Sequence, residues 1–377
     1  MVIRSSDVDL GFLKELSSLG GESVGICIQC GTCTATCPLS NAMKGFPRKT
    51  IRHVQLGLRD RALGDIDMWL CASCRTCNAS CPRGASPGEV MSALTRYASA
   101  QYSPLGLGRW LLRLELSSYL MLGLIVAVIL VAIGLVANPQ PGSMDLQGFL
   151  PFKYIDLAGV VVGLMVLAGL AVGGWKMWKA TQNDVAIKFA GHMLPAAIKA
   201  AFKTIIEEMI LQKSLRRCES NIYGAASHLL LVIGFVGAAL TTTIIFVTAP
   251  NAGPPPLLSP LKVLGNASAV LMIAGSAMML GSRFTKRGKE YRYYFYDWLF
   301  LALVLSSSLT GLLTEALRLY GVSASGYVVY SLHLVLITLM LVLAPYTKFV
   351  HAFYRLIASW VGSIKGWKEV PERYLEV

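Results

Sequence analysis

The stretches C-I-Q-C-G-T-C-T-A-T-C-P at 27–38 and C-A-S-C-R-T-C-N-A-S-C-P at 71–82 decide what the first part of this chain folds around. Both have the spacing C-x2-C-x2-C-x3-C-P, the run with which bacterial ferredoxins hold [4Fe–4S] clusters. Together they use eight of the nine cysteines. A cubane cluster needs four thiolates, so two complete runs predict two clusters and indicate electron-transfer chemistry.

The proline at the end of each run predicts how the ligands are shared. In two-cluster ferredoxins the cysteine before this proline binds the cluster of the other run. Two crossed ligand sets follow: Cys27, Cys30, Cys33 with Cys81, and Cys71, Cys74, Cys77 with Cys37. The alternatives are two zinc sites or disulfide bonds, and two full repeats with both prolines disfavour them.

The remainder of the chain has the composition of a membrane protein. Hydrophobic residues make up 54% of the sequence and charged residues only 15%. Six apolar segments are long enough to span a bilayer, which takes roughly 20 residues of helix. They lie at about 119–137, 155–175, 224–248, 261–281, 297–318 and 327–345.

The distribution of basic residues predicts the orientation of these spans. Links 176–223 and 282–296 are rich in Lys and Arg, whereas links 249–260 and 319–326 carry no charge. The positive-inside rule therefore predicts a multi-pass protein of a prokaryotic cytoplasmic membrane with both termini in the cytoplasm. No secretory signal precedes the cysteines, so they stay in a reducing compartment and read as metal ligands. The net charge of +13 has the same origin, and nucleic-acid binding is not predicted.

The predicted fold is all-α. Helical spacing runs through 48–63, and Pro87 suits the first turn of a helix that extends to Tyr97. We expect a helical two-cluster ferredoxin domain at 1–112, a six-helix transmembrane bundle at 113–355 and a cytoplasmic tail at 356–377. Within the insert 176–223 an amphipathic stretch either lies on the membrane surface or docks a partner; its apolar residues are Leu194, Ile198, Phe202, Ile205 and Met209.

Three histidines fall in or beside the spans, where ionisable residues are costly and usually functional. His228 opens the third span, and His333 and His351 bracket the sixth. The latter two are 18 residues apart, five helical turns, and would face the same side about 27 Å apart. His228 and His351 are matched in depth at the cytoplasmic edge, which predicts a haem b between them.

His333 is expected near the outer face, where a partner would be needed close to Ala238. No histidine is there, so His333 binds a second haem through one axial ligand, pairs with another residue type, or hydrogen-bonds a quinone. Glu315 and Arg318 are expected at a similar depth. They form either an interfacial i,i+3 ion pair or part of a quinol pocket that handles protons.

These motifs together resemble known redox modules. The first domain resembles the iron–sulfur C subunit of heterodisulfide reductases. Spans two to six resemble the five-helix cytochrome b of the respiratory nitrate reductase gamma family, which the heterodisulfide reductase E subunit shares. In that family the last helix carries two haem-ligating histidines about 18 residues apart, as His333 and His351 are here. The second family helix usually carries two more, and this chain matches one of them at His228.

The fusion of both modules resembles the membrane component of quinone-interacting membrane-bound oxidoreductase (Qmo) complexes. That resemblance implies menaquinol as substrate, two soluble flavin-containing partners related to the heterodisulfide reductase A subunit, and adenylylsulfate reductase as a further partner in sulfate respiration. The chain itself has no G-x-G-x-x-G after a strand, so no flavin or nicotinamide site is evident.

The sequence thus predicts a membrane electron-transfer protein that connects menaquinol, haem b and two clusters to soluble flavoproteins within an oxidoreductase complex. One alternative is the reverse flow, from a soluble donor to quinone in another heterodisulfide reductase-like complex. A second alternative is a membrane anchor or transporter with a redox-sensing cluster domain. The spans show no evident inverted repeat or paired broken helices, which disfavours a transporter.

Overall fold

The structure is a computed structural model that describes residues 3–41, 43, 45–112, 116–140, 142–182, 194–218, 222–249, 255–286 and 293–364. Parts of the predicted insert 176–223 and of the predicted tail 356–377 lie outside these residues. Within the described residues the regular structure is helical and contains no β-strand. The predicted all-α fold class is therefore confirmed.

The cluster domain is built from short helices around one long one. In chain order they are α1 Leu10–Leu16, α2 Thr32–Ala35, α3 Arg48–Gln55, α4 Arg59–Gly64, α5 Asp67–Leu70, α6 Thr76–Ala79, α7 Pro87–Tyr102 and α8 Leu107–Leu112. Helix α7 forms the centre of the core, where its buried Val90 and Leu94 belong to one apolar cluster with Phe12, Ile51 and Val54. Burying these side chains drives the short helices together, since none of them is long enough to be stable alone.

The predicted continuous helix over 48–63 is wrong, because the chain breaks between α3 and α4. Gly57 has φ +65°, and its carbonyl oxygen accepts a hydrogen bond from Asp9 N at 2.8 Å. A Cβ at position 57 would lie 3.1 Å from the Asp9 carbonyl oxygen. Glycine is therefore needed both for the left-handed conformation and for the close approach of the N-terminal segment.

The membrane region continues with α9 Leu116–Val136, α10 Leu146–Phe149, α11 Phe152–Gln182, α12 Leu194–Thr204, α13 Lys213–Cys218, α14 Ile222–Thr248, α15 Pro260–Lys286, α16 Phe295–Leu319, α17 Ser323–Leu343 and α18 Val350–Ile364. Among the described residues, six candidate spans are long and apolar enough to cross a membrane. They fall on α9, α11, α14, α15, α16 and α17 with α18, one in each of the six predicted apolar segments.

The last predicted span is not one continuous helix between His333 and His351. Helix α17 ends at Leu343, a 3₁₀ turn covers Ala344–Tyr346, and α18 begins at Val350. Pro345 explains the break, because proline lacks the N–H that would bond to the preceding turn and its ring clashes with that turn. The expected separation of five unbroken turns therefore does not hold.

The amphipathic stretch of the insert forms α12 and a following π-helical turn, Ile205–Ile210. Helix α12 packs against α18. The side chains of Ile198 and Phe202 nevertheless remain 50% and 66% exposed. An amphipathic helix with large apolar side chains on its open face is suited to the membrane surface.

The cluster domain docks directly on the end of the bundle. Gly20, with φ +96°, lies against the hydroxyl of Tyr294 just before α16, and a side chain there would collide with the phenol ring. The guanidinium of Arg96 stacks over the same ring at 3.8 Å and donates to the Leu19 carbonyl oxygen at 2.6 Å. A stacked arginine and a close backbone approach fix this contact, since both require one geometry.

Candidate metal centres

The first cavity of the cluster domain is ringed by cysteines from both runs. Its lining includes Cys27, Cys30, Cys33 and Cys81. Cys27 and Cys30 come from the loop that leads into α2, Cys33 lies within α2, and Cys81 follows α6 of the other run. Arg48 and Arg83 also line the cavity, and Cys30 is exposed.

The second cavity has the complementary set. It is lined by Cys71, Cys74, Cys77 and Cys37, together with the apolar side chains of Leu39, Phe46 and Met91. The empty volumes of the two cavities are similar, about 350 Å³ for the first and about 390 Å³ for the second. The structure therefore brings together the two crossed sets that the spacing predicts.

The two runs adopt the same backbone frame. In the first, Gln29 and Gly31 flank the second cysteine with φ +58° and +88°; in the second, Ser73 and Arg75 do so with φ +55° and +65°. Each second cysteine also contacts a threonine hydroxyl through its sulfur, Cys30 with Thr32 at 3.3 Å and Cys74 with Thr76 at 3.4 Å. Two left-handed residues per run curl the chain so that its first three cysteines line one cavity.

The frame has a different requirement in the second run. Arg75 holds a left-handed conformation that costs a non-glycine residue about 1–2 kcal/mol. Its guanidinium pairs with Glu89 at 2.7 Å, with the two side chains only 7% and 8% exposed. A buried ion pair of this kind locks the loop onto α7, since separating the charges would leave each without compensation.

The environment of the thiols differs from one cysteine to the next. Burial raises the pKa of the Cys33 and Cys71 thiols, and it raises the pKa of Cys37 to about 11. For Cys30 the contact with the Thr32 hydroxyl lowers the pKa. Buried thiols are therefore protonated without metal, and iron must displace their protons on binding.

The arrangement of the thiols bears on what the cavities can hold. Among the described residues, no group of three or more His, Cys, Asp or Glu side chains is disposed to hold a single metal ion. The cysteines instead ring cavities. Four soft thiolates around a cavity fit a cubane cluster, whereas a tetrahedral zinc site needs its ligands to converge on one ion.

Near the second cavity, α18 contacts the loop that carries its ligands. Arg355 Nη1 donates to the carbonyl oxygens of Trp69 and Cys71 at 3.1 and 3.4 Å. The Trp69 ring lies 4.8 Å, centroid to centroid, from Tyr354 on the same helix. The second cavity therefore lies at the contact between the cluster domain and the bundle.

His228 and His351 lie at this same end of the bundle. His228 stands in the second turn of α14 and His351 in the first turn of α18, and the two interact electrostatically. His228 Nδ1 is buried and has no hydrogen-bond partner. Buried polar atoms are almost always satisfied, so the unpaired Nδ1 is unusual, and imidazole is a common axial ligand of haem in helix bundles.

His333 lies at the midpoint of α17, which begins at Ser323 and ends at Leu343. Its Nδ1 lies 2.9 Å from the carbonyl oxygen of Ser307 and 3.2 Å from the hydroxyl of Thr310. A carbonyl only accepts, so Nδ1 carries the proton and Nε2 is left as a base or a ligand.

Glu315 and Arg318 do not share the level of His333. Glu315 lies five residues beyond Thr310 on α16, about 8 Å along the axis. Its Oε2 accepts from Lys262 at 2.7 Å, and its Oε1 accepts from Arg318 at 2.9 Å. Both oxygens are engaged, which favours an ion-pair network between α15 and α16. Sequence reasoning missed Lys262, since a partner 53 residues away leaves no local signal.

Comparisons with known proteins cover the first domain. Residues 23–85 match the family model for a 4Fe-4S dicluster domain. A protein of Archaeoglobus profundus that is similar to the heterodisulfide reductase C subunit is 39% identical over 89 residues, which is 23% of this chain and 47% of that protein. The C subunit of the H(2):CoB-CoM heterodisulfide,ferredoxin reductase of Methanothermobacter thermautotrophicus is 37% identical over 64 residues, 17% of this chain and 35% of that protein.

The matched region is therefore limited. The chain spans less than half the length of these relatives, and no solved structure matches it. Six candidate membrane spans follow the matched region. The protein consists of an N-terminal 4Fe-4S dicluster domain, similar to that of the heterodisulfide reductase C subunit, followed by a multi-pass membrane helical region.

Proposed function

We propose that this chain is the membrane electron-transfer component of a quinone-dependent oxidoreductase complex. Its cavities hold two [4Fe–4S] clusters, its bundle holds haem b, and soluble flavin-containing partners receive the electrons. The observation that carries the proposal is the contact of α18, the helix that also carries His351, with the loop that holds Cys71 of the second cavity.

The proposed ligands follow from the residues that meet. Cys27, Cys30, Cys33 and Cys81 hold one cluster, and Cys71, Cys74, Cys77 and Cys37 hold the other. His228 and His351 hold haem b. When bound, clusters and haem take up and release single electrons, at potentials that depend on charge and burial.

The first candidate for a residue that binds the quinone is His333. The hydrogen bond from Nδ1 to the Ser307 carbonyl orients the ring, and Nε2 can accept a proton from a quinol hydroxyl. Alternatively, His333 Nε2 serves as the axial ligand of a second haem. Glu315 and Arg318 stabilise the helix ends around that region through Lys262.

The proposal extends to orientation and partners. The basic links support a cytoplasmic cluster domain, with both termini on that side. Menaquinol as substrate, two partners related to the heterodisulfide reductase A subunit, and a place beside adenylylsulfate reductase in sulfate respiration all rest on the resemblance of the fused modules.

Quinol reduction of the purified chain tests the proposal. Addition of a menaquinol analogue should reduce a b-type haem and then the clusters. The His228→Ala variant should keep its clusters, lose the haem spectrum and lose reduction of the clusters by quinol. If this variant still transfers electrons from quinol to the clusters, the membrane domain acts only as an anchor.

A further inference from the structure

Arg355 joins three separate parts of the chain. It lies on α18 one turn after His351, and its Nη1 donates to the carbonyl oxygens of Trp69 and Cys71. Its Nη2 donates to Glu208 Oε2 at 3.1 Å, in the π-helical turn after α12. One guanidinium therefore holds a cysteine loop, the insert and the last helix, and its planar fork suits this because each donor has a fixed direction.

The surroundings of this contact are poorly hydrated. The side chains of Arg355 and Glu208 are only 15% and 12% exposed, and Trp69 is buried beside Tyr354. Electrostatic interactions are stronger in such places than at an exposed surface. The hydrogen bond to the Cys71 carbonyl oxygen places the Arg355 charge beside a cysteine that lines the second cavity.

The first cavity has a contrasting position. Its Cys30 is exposed, and the side chain of the neighbouring Ile28 is 61% exposed. Arg48 and Arg83 also line this cavity. The two cavities thus differ in their neighbours: α18 contacts the loop that carries Cys71 of the second cavity, and the first cavity has the exposed Cys30 in its lining.

We propose that Arg355 is a positioning residue that fixes the second cavity beside His351, so that this cavity exchanges electrons with the membrane domain and the first cavity exchanges them with the soluble partner. The inference rests on the proposed function, since it requires clusters in both cavities. In each step one electron leaves one carrier and arrives at the next, and no bond forms or breaks.

The charge of Arg355 shifts the midpoint potential of a nearby cluster in a defined direction. A nearby positive charge favours the reduced, more negative form of a cluster, and a nearby negative charge disfavours it. Removing Arg355 leaves the carboxylate of Glu208 and lowers the midpoint potential. Removing the charge of Glu208 leaves the guanidinium and raises the potential.

A redox titration of the purified full-length chain, followed by electron paramagnetic resonance, tests this. Arg355→Gln should lower the midpoint potential of one cluster by at least ~28 mV, which corresponds to a threefold change in its one-electron equilibrium constant. Glu208→Gln should raise the potential of that same cluster. Arg355→Lys keeps the charge and should leave the potential near that of the wild type. Arg48→Gln, at the first cavity, should move only the other cluster.

The two signs separate the proposal from a loss of packing. If Arg355→Gln and Glu208→Gln move the potential in the same direction, or shift both clusters equally, the inference is wrong. Should Arg355→Gln fail to accumulate, the opposite shifts expected for Glu208→Gln and Arg48→Gln on different clusters still decide it. A wild-type chain without cluster signals would instead refute the proposed function.

Discussion

The two cluster cavities share one backbone frame and differ in nearly everything around it. In the first run a glycine occupies the left-handed position after the second cysteine, and that cysteine, Cys30, is exposed. In the second run Arg75 occupies that position, a buried ion pair with Glu89 holds it, and α18 covers the loop. An internal repeat can keep its ligand geometry while its two copies take different places in one molecule.

This difference has a physical consequence for electron transfer. The first copy needs little support, because glycine adopts its conformation without strain. The second copy needs a buried arginine–glutamate pair and a further arginine from α18. The copy that needs these additional contacts is the one at the contact with the bundle. The contacts fix the position of its cavity relative to His351.

Substitution of the cysteine that each run contributes to the opposite cavity should have the largest effect. Cys37→Ala should remove the cluster of the second cavity and about half of the iron, because Cys37 completes the set of the other run. Its paramagnetic signal should match that of Cys71→Ala. Cys81→Ala should match Cys27→Ala in the same way. A Cys37→Ala spectrum that resembles Cys27→Ala would contradict the crossed sets.

The buried ion pair of the second copy should give the next largest effect. Glu89→Gln removes the charge that compensates Arg75 and should lower the free energy of unfolding of the cluster domain by about 3–5 kcal/mol. Guanidinium unfolding followed by cluster absorbance measures this. Asp7→Asn breaks the more exposed pair with Arg61, 3.9 Å long, and should cost at most about 1 kcal/mol. Equal costs would contradict the role assigned to the pair.

The glycine of the first copy should give a smaller effect. Gly31→Ala places a side chain at φ +88° and should destabilise the cluster domain by about 1–2 kcal/mol. The added Cβ itself has room, with Arg48 no nearer than 3.7 Å, so the cost comes from the backbone. Gly25→Ala is the matched control, since no atom lies within 4 Å of its Cβ and its φ is not positive. The same unfolding measurement compares the two variants.

Substitution of a basic residue at the first cavity should have the smallest effect. Arg83→Glu should slow the oxidation of the reduced clusters by ferricyanide a few-fold, because the anion loses an attractive charge beside the exposed cavity. Added salt should diminish the difference. Arg216→Glu, in the insert, should leave the rate unchanged. Stopped-flow absorbance gives these rates, and equal slowing by both variants would show a general charge effect.

The sequence is a good guide wherever the signal is local. The cysteine spacing predicts that the first three thiols of a run meet, because a run of eleven residues determines its own loop, and the proline after the fourth cysteine predicts that this thiol joins the other run. Apolar length likewise predicts the six candidate spans. The break at Gly57 has no such signal, since apolar residues keep the same period on both sides of it. Only the approach of Asp9 from another part of the chain makes the turn necessary.

The remaining features depend on contacts between distant residues. Arg355 and Cys71 are 284 positions apart, and nothing near either residue marks the other. The apolar pattern sets the start of the last span at 327, whereas α17 begins at Ser323 and has His333 at its midpoint. Pro345 predicts a kink, but the extent of the break depends on how α18 packs against the cluster domain.

A count of iron, acid-labile sulfide and haem on the purified chain is the most direct test of the proposed cofactors. We expect about eight irons and about eight sulfides in two cubane clusters, with haem b in addition. We further expect that Cys37→Ala and Cys71→Ala lose the same cluster while keeping the haem. Zinc in place of iron, a single cluster, or a full set of clusters without haem would contradict the proposal.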